Sequence, residues 1–135
     1  AYEQLEFTRF IAAHGLTQFR MNPHFPPNSL LAMRTIVGAA ALGCQAEAIE
    51  AFMVGVWEMG LDLGDRDAVV AQLDDAGLNG AALIARADDP AVKAELAQNT
   101  EAAVARGAFG IPTFFVGDAM FFGKERLGQV AAALG

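Results

Sequence analysis

Few residues in this chain are equipped for chemistry. Cys44 is its one cysteine, so it forms no internal disulfide and no CxxC redox pair. No cationic residue flanks Cys44 to lower its pKa, and it reads as structural rather than nucleophilic. The two histidines come with no cysteine cluster, which argues against a zinc site. His24 has no carboxylate at a fixed spacing and reads as a packed loop residue rather than a base. Arg34 and Arg126 read as surface or helix-terminal charges. Two short segments are more promising. Gly123-Lys124-Glu125 opens the final helix, where free N–H groups and the positive dipole end suit a carboxylate; a plain capped helix with solvated charges is the other reading. Ile111-Pro112 stands at the entrance of an apolar run. Taken alone, that proline reads as an ordinary trans residue starting a strand. Trp57 lies with Phe52 and Met53 on an apolar helix face, which suits core packing and, alternatively, the wall of an aromatic-binding pocket.

The elements that would position these residues follow from periodicity and turn chemistry. Tyr2 to Ala13 has helical spacing at Leu5, Phe7, Phe10 and Ile11, with Gly15 as a stop. Pro23, Pro26 and Pro27 make Leu16 to Pro27 a loop. Asn28 is a candidate cap for a helix running through Leu30 to Leu42. Gln45 to Met59 is a third helix with Ile49, Phe52, Met53, Val56 and Trp57 on one face. Asp65 caps a fourth, Arg66 to Ala76, and Asn79 a fifth, Gly80 to Ala87. Asp89-Pro90 starts a sixth that runs to Arg106. Thr113 to Val116 and Ala119 to Phe122 form a hairpin across Gly117-Asp118, and a last helix runs from Lys124 to Leu134. Both strands carry adjacent large apolar residues, Phe114-Phe115 and Phe121-Phe122, so both faces call for burial. A hairpin alone is marginal in water, and no other strand is evident.

Composition narrows the classes further. The chain has 135 residues, enough for one domain with a real core. Its formal charge is −7, from 9 basic and 16 acidic residues, which argues against a nucleic-acid partner. No apolar stretch reaches the roughly 18 residues of a membrane span. The first residues have no basic region or signal-peptide core, so the expected location is cytoplasmic.

Asn99 to Leu127, NTEAAVARGAFGIPTFFVGDAMFFGKERL, closely resembles the C-terminal part of 2-hydroxychromene-2-carboxylate isomerases. These are relatives of kappa-class glutathione transferases and of the DsbA-type thioredoxin fold. HFPPNSLLAMR, His24 to Arg34, is similar to their HFP-x-N-(S/T)-L stretch. The segment from Trp57 to Asp62-Leu63, and ADDPAVKAEL from Ala87 to Leu96, match the family's order and spacing. The resemblance covers essentially the whole chain. It implies an α/β, thioredoxin-like fold of DsbA and kappa-transferase type, represented here by a helical insertion (1–106) and a C-terminal ββα (107–135). On this reading an N-terminal βαβ is lacking, and with it the serine that activates glutathione, so the chain is expected to be the C-terminal part of a longer protein and inactive by itself.

The resemblance also implies a role for each candidate residue. Pro112 is expected to be cis, freeing the Ile111 N–H and C=O to pair with the cysteinyl backbone of glutathione. Gly123, Lys124 and Glu125 are expected at the γ-glutamyl end, although the family's usual Ser-Asp pair is here Lys124-Glu125. Trp57 is the candidate contact for an aromatic acid substrate. The implied activity is glutathione-dependent isomerisation in aromatic-compound catabolism, without nucleic acid, membrane or metal, in a homodimer. A kappa-type glutathione transferase is one alternative. A non-catalytic binding or assembly module, using the apolar hairpin edge, is another.

Overall fold

The computed structural model describes residues 2–135, with nothing assigned to the side chain of Glu3. Its elements are α1 (Tyr2–Ala13), α2 (Leu30–Ala40), α3 (Gln45–Trp57), α4 (Arg66–Asp75), α5 (Gly80–Ala87), α6 (Pro90–Ala105), β1 (Thr113–Val116), β2 (Ala119–Phe122) and α7 (Leu127–Leu134), with a 3-10 turn at Lys124–Arg126. They fall into two units, Ala1–Leu96 and Ala97–Gly135. Among the described residues, no helix is long and apolar enough to cross a membrane.

The first unit is helical. Small residues let its helices approach closely: α2 packs on α3 and α5, and α4 on α3 and α5. Ala39, Ala48, Val69, Leu73 and Leu83 fill the shared core. Local chemistry sets several boundaries. Asp65 accepts from the Asp67 and Ala68 N–H groups, and Asn79 from that of Ala82. At Gly80 an added Cβ would stand 2.5 Å from the Val70 carbonyl oxygen, so only glycine permits this approach of α5 to α4.

Three expectations need correction here. The residue at the cap position of α2 is Ser29, whose side chain caps nothing; Asn28 acts one step earlier, accepting from the Leu30 N–H at 3.1 Å. α3 ends at Trp57 rather than Met59, because Leu61 N–H turns back to the Gly55 carbonyl at 2.8 Å. The buried side of α3 runs through Ala48, Ala51, Phe52, Gly55 and Val56, leaving Ile49 and Met53 exposed. Packing against both α2 and α4 rotates that face away from the stripe drawn through the largest side chains.

In the second unit, β1 and β2 pair antiparallel with Thr113 opposite Phe122, Phe114 opposite Phe121, Phe115 opposite Met120 and Val116 opposite Ala119. Gly117, with φ 57°, takes the first place of the two-residue turn, where positive φ suits glycine. β1 is half-buried throughout and α7 packs on it, whereas β2 is exposed except at Phe121. Arg106 clasps the hairpin: its guanidinium lies 3.8 Å over the Phe115 ring and donates to the Gly117 carbonyl at 2.9 Å. The expected helix start at Lys124 is instead the 3-10 turn, closed by Arg126 N–H on the Gly123 carbonyl, and α7 begins at Leu127.

Gly80→Ala is expected to lower stability by about 1–3 kcal/mol in urea unfolding, since the obstacle to the new methyl group is backbone. A second expectation concerns pH. The Arg66 guanidinium donates to Asp88 at 2.6 Å and holds its carboxyl below the ordinary aspartate value. A lowered folded-state pKa contributes stability above the unfolded value, and that contribution is lost as pH falls through the folded value. Unfolding midpoints should therefore fall more steeply below about pH 4 in the wild type than in Arg66→Gln.

Candidate functional site

The hairpin register brings the start of β1 beside the end of β2, and with them Ile111, Pro112 and the Gly123–Glu125 segment. Gly123 N–H donates to the Pro112 carbonyl at 3.0 Å and fixes that proximity. Thr113 Oγ1 donates to the Gly110 carbonyl at 2.6 Å, tightening the approach to the strand. Phe109 packs on the Phe122 ring, with centroids 4.6 Å apart. A Cβ on Gly110 would meet that same ring at 2.8 Å, which explains the glycine. The Ile111–Pro112 bond is cis.

Ile111 is 92% exposed, and no described residue hydrogen-bonds its backbone N–H or C=O. The segment thus offers one backbone donor and one acceptor to a ligand. Gly123, with φ 97°, turns the chain out of β2 toward the Lys124–Glu125 pair. The Lys124 ammonium contacts the Glu125 carboxylate. That contact, reinforced by the Glu125 backbone N–H, holds the Glu125 carboxyl below its ordinary value, so it is ionised at neutral pH. Together these groups can bind a peptide-like main chain and a zwitterionic end. None of them is a nucleophile or a hydroxyl donor.

Trp57 lies in the first unit, at a cleft of about 400 Å³ lined also by Phe7, Leu16, Phe19 and Met53. Phe19 stacks on it, with centroids 5.7 Å apart and planes 23° apart. Glu50 and Glu58 stand on the same cleft, so its apolar wall carries an acidic rim. Cys44 is half-buried, with its thiol 3.8 Å from the Ala39 carbonyl, in keeping with a structural role. Among the described residues, no three His, Cys, Asp or Glu side chains cluster as a metal site.

One reading of His24 changes. Its Nδ1 lies 3.5 Å from Asp62 Oδ2, so a carboxylate does face it, from the loop after α3. Asn22 makes this possible. It is 2% exposed and donates to the Val56 and Leu61 carbonyls, both at 2.9 Å, pinning the proline loop to the end of α3. Its Oδ1 accepts from the His24 N–H at 2.7 Å. No sequence spacing signals such a pair, and the burial of Asn22 that creates it appears only in the folded chain. Arg106 was likewise silent, visible in the sequence only as the last residue of a helix.

The model of the DsbA-like thioredoxin domain matches residues 5–135. A protein named 2-hydroxychromene-2-carboxylate isomerase from Sphingobium xenophagum is 36% identical over 84 residues, which are 62% of this chain and 43% of that protein. A protein of the same name from Pseudomonas putida is 27% identical over 139 aligned positions, covering 99% of this chain and 64% of its own length. A solved structure of 2-hydroxychromene-2-carboxylate isomerase superposes with a TM-score of 0.79 at 21% identity, over 99% of this chain and 64% of that one. The chain therefore spans less than two thirds of the length of these relatives. The match over nearly every residue, with the same fold in the solved structure, places the chain in the DsbA-like thioredoxin domain family.

Proposed function

We propose that the protein is a glutathione-dependent isomerase of the 2-hydroxychromene-2-carboxylate type, acting on an aromatic acid. The names of its relatives support the reaction class. The observation that carries the glutathione reading is the unengaged backbone of Ile111 beside a charged pair tied in by the Gly123–Pro112 bond. Ile111 would hold the cysteinyl main chain as a strand edge holds an added strand. Glu125 would take the γ-glutamyl ammonium and Lys124 the neighbouring carboxylate, the two side chains exchanging their mutual contact for the two charges of that one end.

Bound glutathione would supply a thiolate that adds reversibly to the conjugated enone, making a double bond a rotatable single bond. The residues of this chain contribute binding and orientation. The Thr113 hydroxyl at the hairpin entrance donates to the Gly110 carbonyl, and none of the groups proposed to bind glutathione supplies the hydroxyl that would lower the thiol pKa. Trp57 is proposed as the aromatic contact, with the Glu50 and Glu58 carboxylates disfavouring entry of the substrate's own acid group there.

Calorimetric titration should show saturable glutathione binding, weakened about tenfold or more in Glu125→Lys, as expected for loss of a charge-assisted contact. Trp57→Ala should leave that binding unchanged. In protein expressed from the full coding sequence, chromene isomerisation followed by absorbance should require glutathione, and Trp57→Ala should raise KM. A wild type that binds no glutathione, or that isomerises equally well without it, would overturn the reading. Faster conjugation of an electrophile than isomerisation would favour a transferase.

A further inference from the structure

The chain as a whole is acidic, yet one cleft of its first unit gathers positive charge. This cleft of about 220 Å³ is lined by Arg34, Arg66 and Asp88, and by Asn28, Leu31 and Gly64. Arg66 is committed, its Nη2 donating to Asp88 Oδ2 at 2.6 Å. Arg34 is not. It is half-buried, and its guanidinium makes no hydrogen bond or close ion pair with any described residue, although its charge acts on the Asp88 carboxylate across the cleft. Its Nε is shielded from solvent and has no partner. That nitrogen is out of a ligand's reach; the Nη groups are the donors that an acceptor in the cleft can meet.

The neighbouring groups favour an anion. The Leu30 N–H is taken by Asn28 Oδ1, but Ser29 supplies no side-chain cap and the first turn of α2 contains no acid. The remaining first-turn N–H groups, at the positive end of an 11-residue helix, are therefore available as donors. The lining carries two guanidiniums and one carboxylate, and Lys93 also lies close enough to act on that carboxylate, so the cleft is net positive and suits an anion. A dianion would face the Asp88 carboxylate with its second charge. The volume lies below the range of drug-sized pockets, about 300–1,000 Å³, and suits a metabolite-sized acid.

We propose that this cleft binds a small organic monocarboxylate, with the Arg34 guanidinium pairing with its two oxygens. No residue assigned above to glutathione lines it, so either proposal can fail without the other.

The test uses sodium pyruvate as the probe, titrated into the isotopically labelled chain at low ionic strength with sodium chloride as control. Saturable amide shifts are expected at Leu30, Leu31 and Gly64, fading as salt is added. Arg34→Gln should weaken binding about tenfold or more, because a charge-assisted fork is lost. Asp88→Asn, which removes the opposing charge from an exposed position, should tighten it several-fold. Inorganic phosphate should bind less well than pyruvate. Absence of saturable shifts at those amides up to about 50 mM probe, unchanged affinity in Arg34→Gln, or phosphate binding as tightly as pyruvate would each overturn the proposal. Should Arg34→Gln fail to fold, the position of the wild-type shifts and the direction of the Asp88→Asn effect decide it.

Discussion

The hydrogen bond from Gly123 N–H to the Pro112 carbonyl is the constraint on which the hairpin end depends. It continues the strand register past its last pair, so the residue leaving β2 is held against the residue entering β1. Without it, Ile111 and the Lys124–Glu125 pair would be unrelated surface groups. With it, a free backbone edge and two opposite charges share one small region of the second unit. The glycines on either side serve the same end. Gly110 gives way to the Phe122 ring, and Gly123 adopts a positive φ that few other residues tolerate.

Much of this was legible in the sequence because it is written locally. The hairpin boundaries follow from two aromatic pairs flanking Gly117-Asp118, and the observed strands coincide with them. Asp65 and Asn79 cap the helices that follow them, since a capping side chain acts within three residues of itself. The resemblance built on the Gly107–Leu127 motif led to the DsbA-like thioredoxin fold, which the family match and the solved relative share.

What was not legible is set by tertiary packing. The buried face of α3 depends on which helices flank it, so the apolar stripe pointed to Met53 where the structure buries Ala48 and Gly55. The approach of Asp62 to His24 rests on Asn22 bridging a loop to the end of a helix, a contact between residues far apart in sequence. The turn at Lys124–Arg126 looked like the first turn of a helix because three-residue and four-residue hydrogen bonding make similar demands on side chains. The charge state of the Arg34 cleft could not be read at all, since its members come from three separate segments.

The clasp of Arg106 has a mechanical consequence. One guanidinium engages a ring in β1 and a carbonyl at the tip, so the hairpin is anchored at two depths to the residue that ends α6. A slip of one residue along β1 would carry the Phe115 ring to the opposite side of the ribbon and break both attachments together. The arginine thus acts as a ratchet pawl, and the alignment that shapes the far end of the ribbon is guarded from the near one.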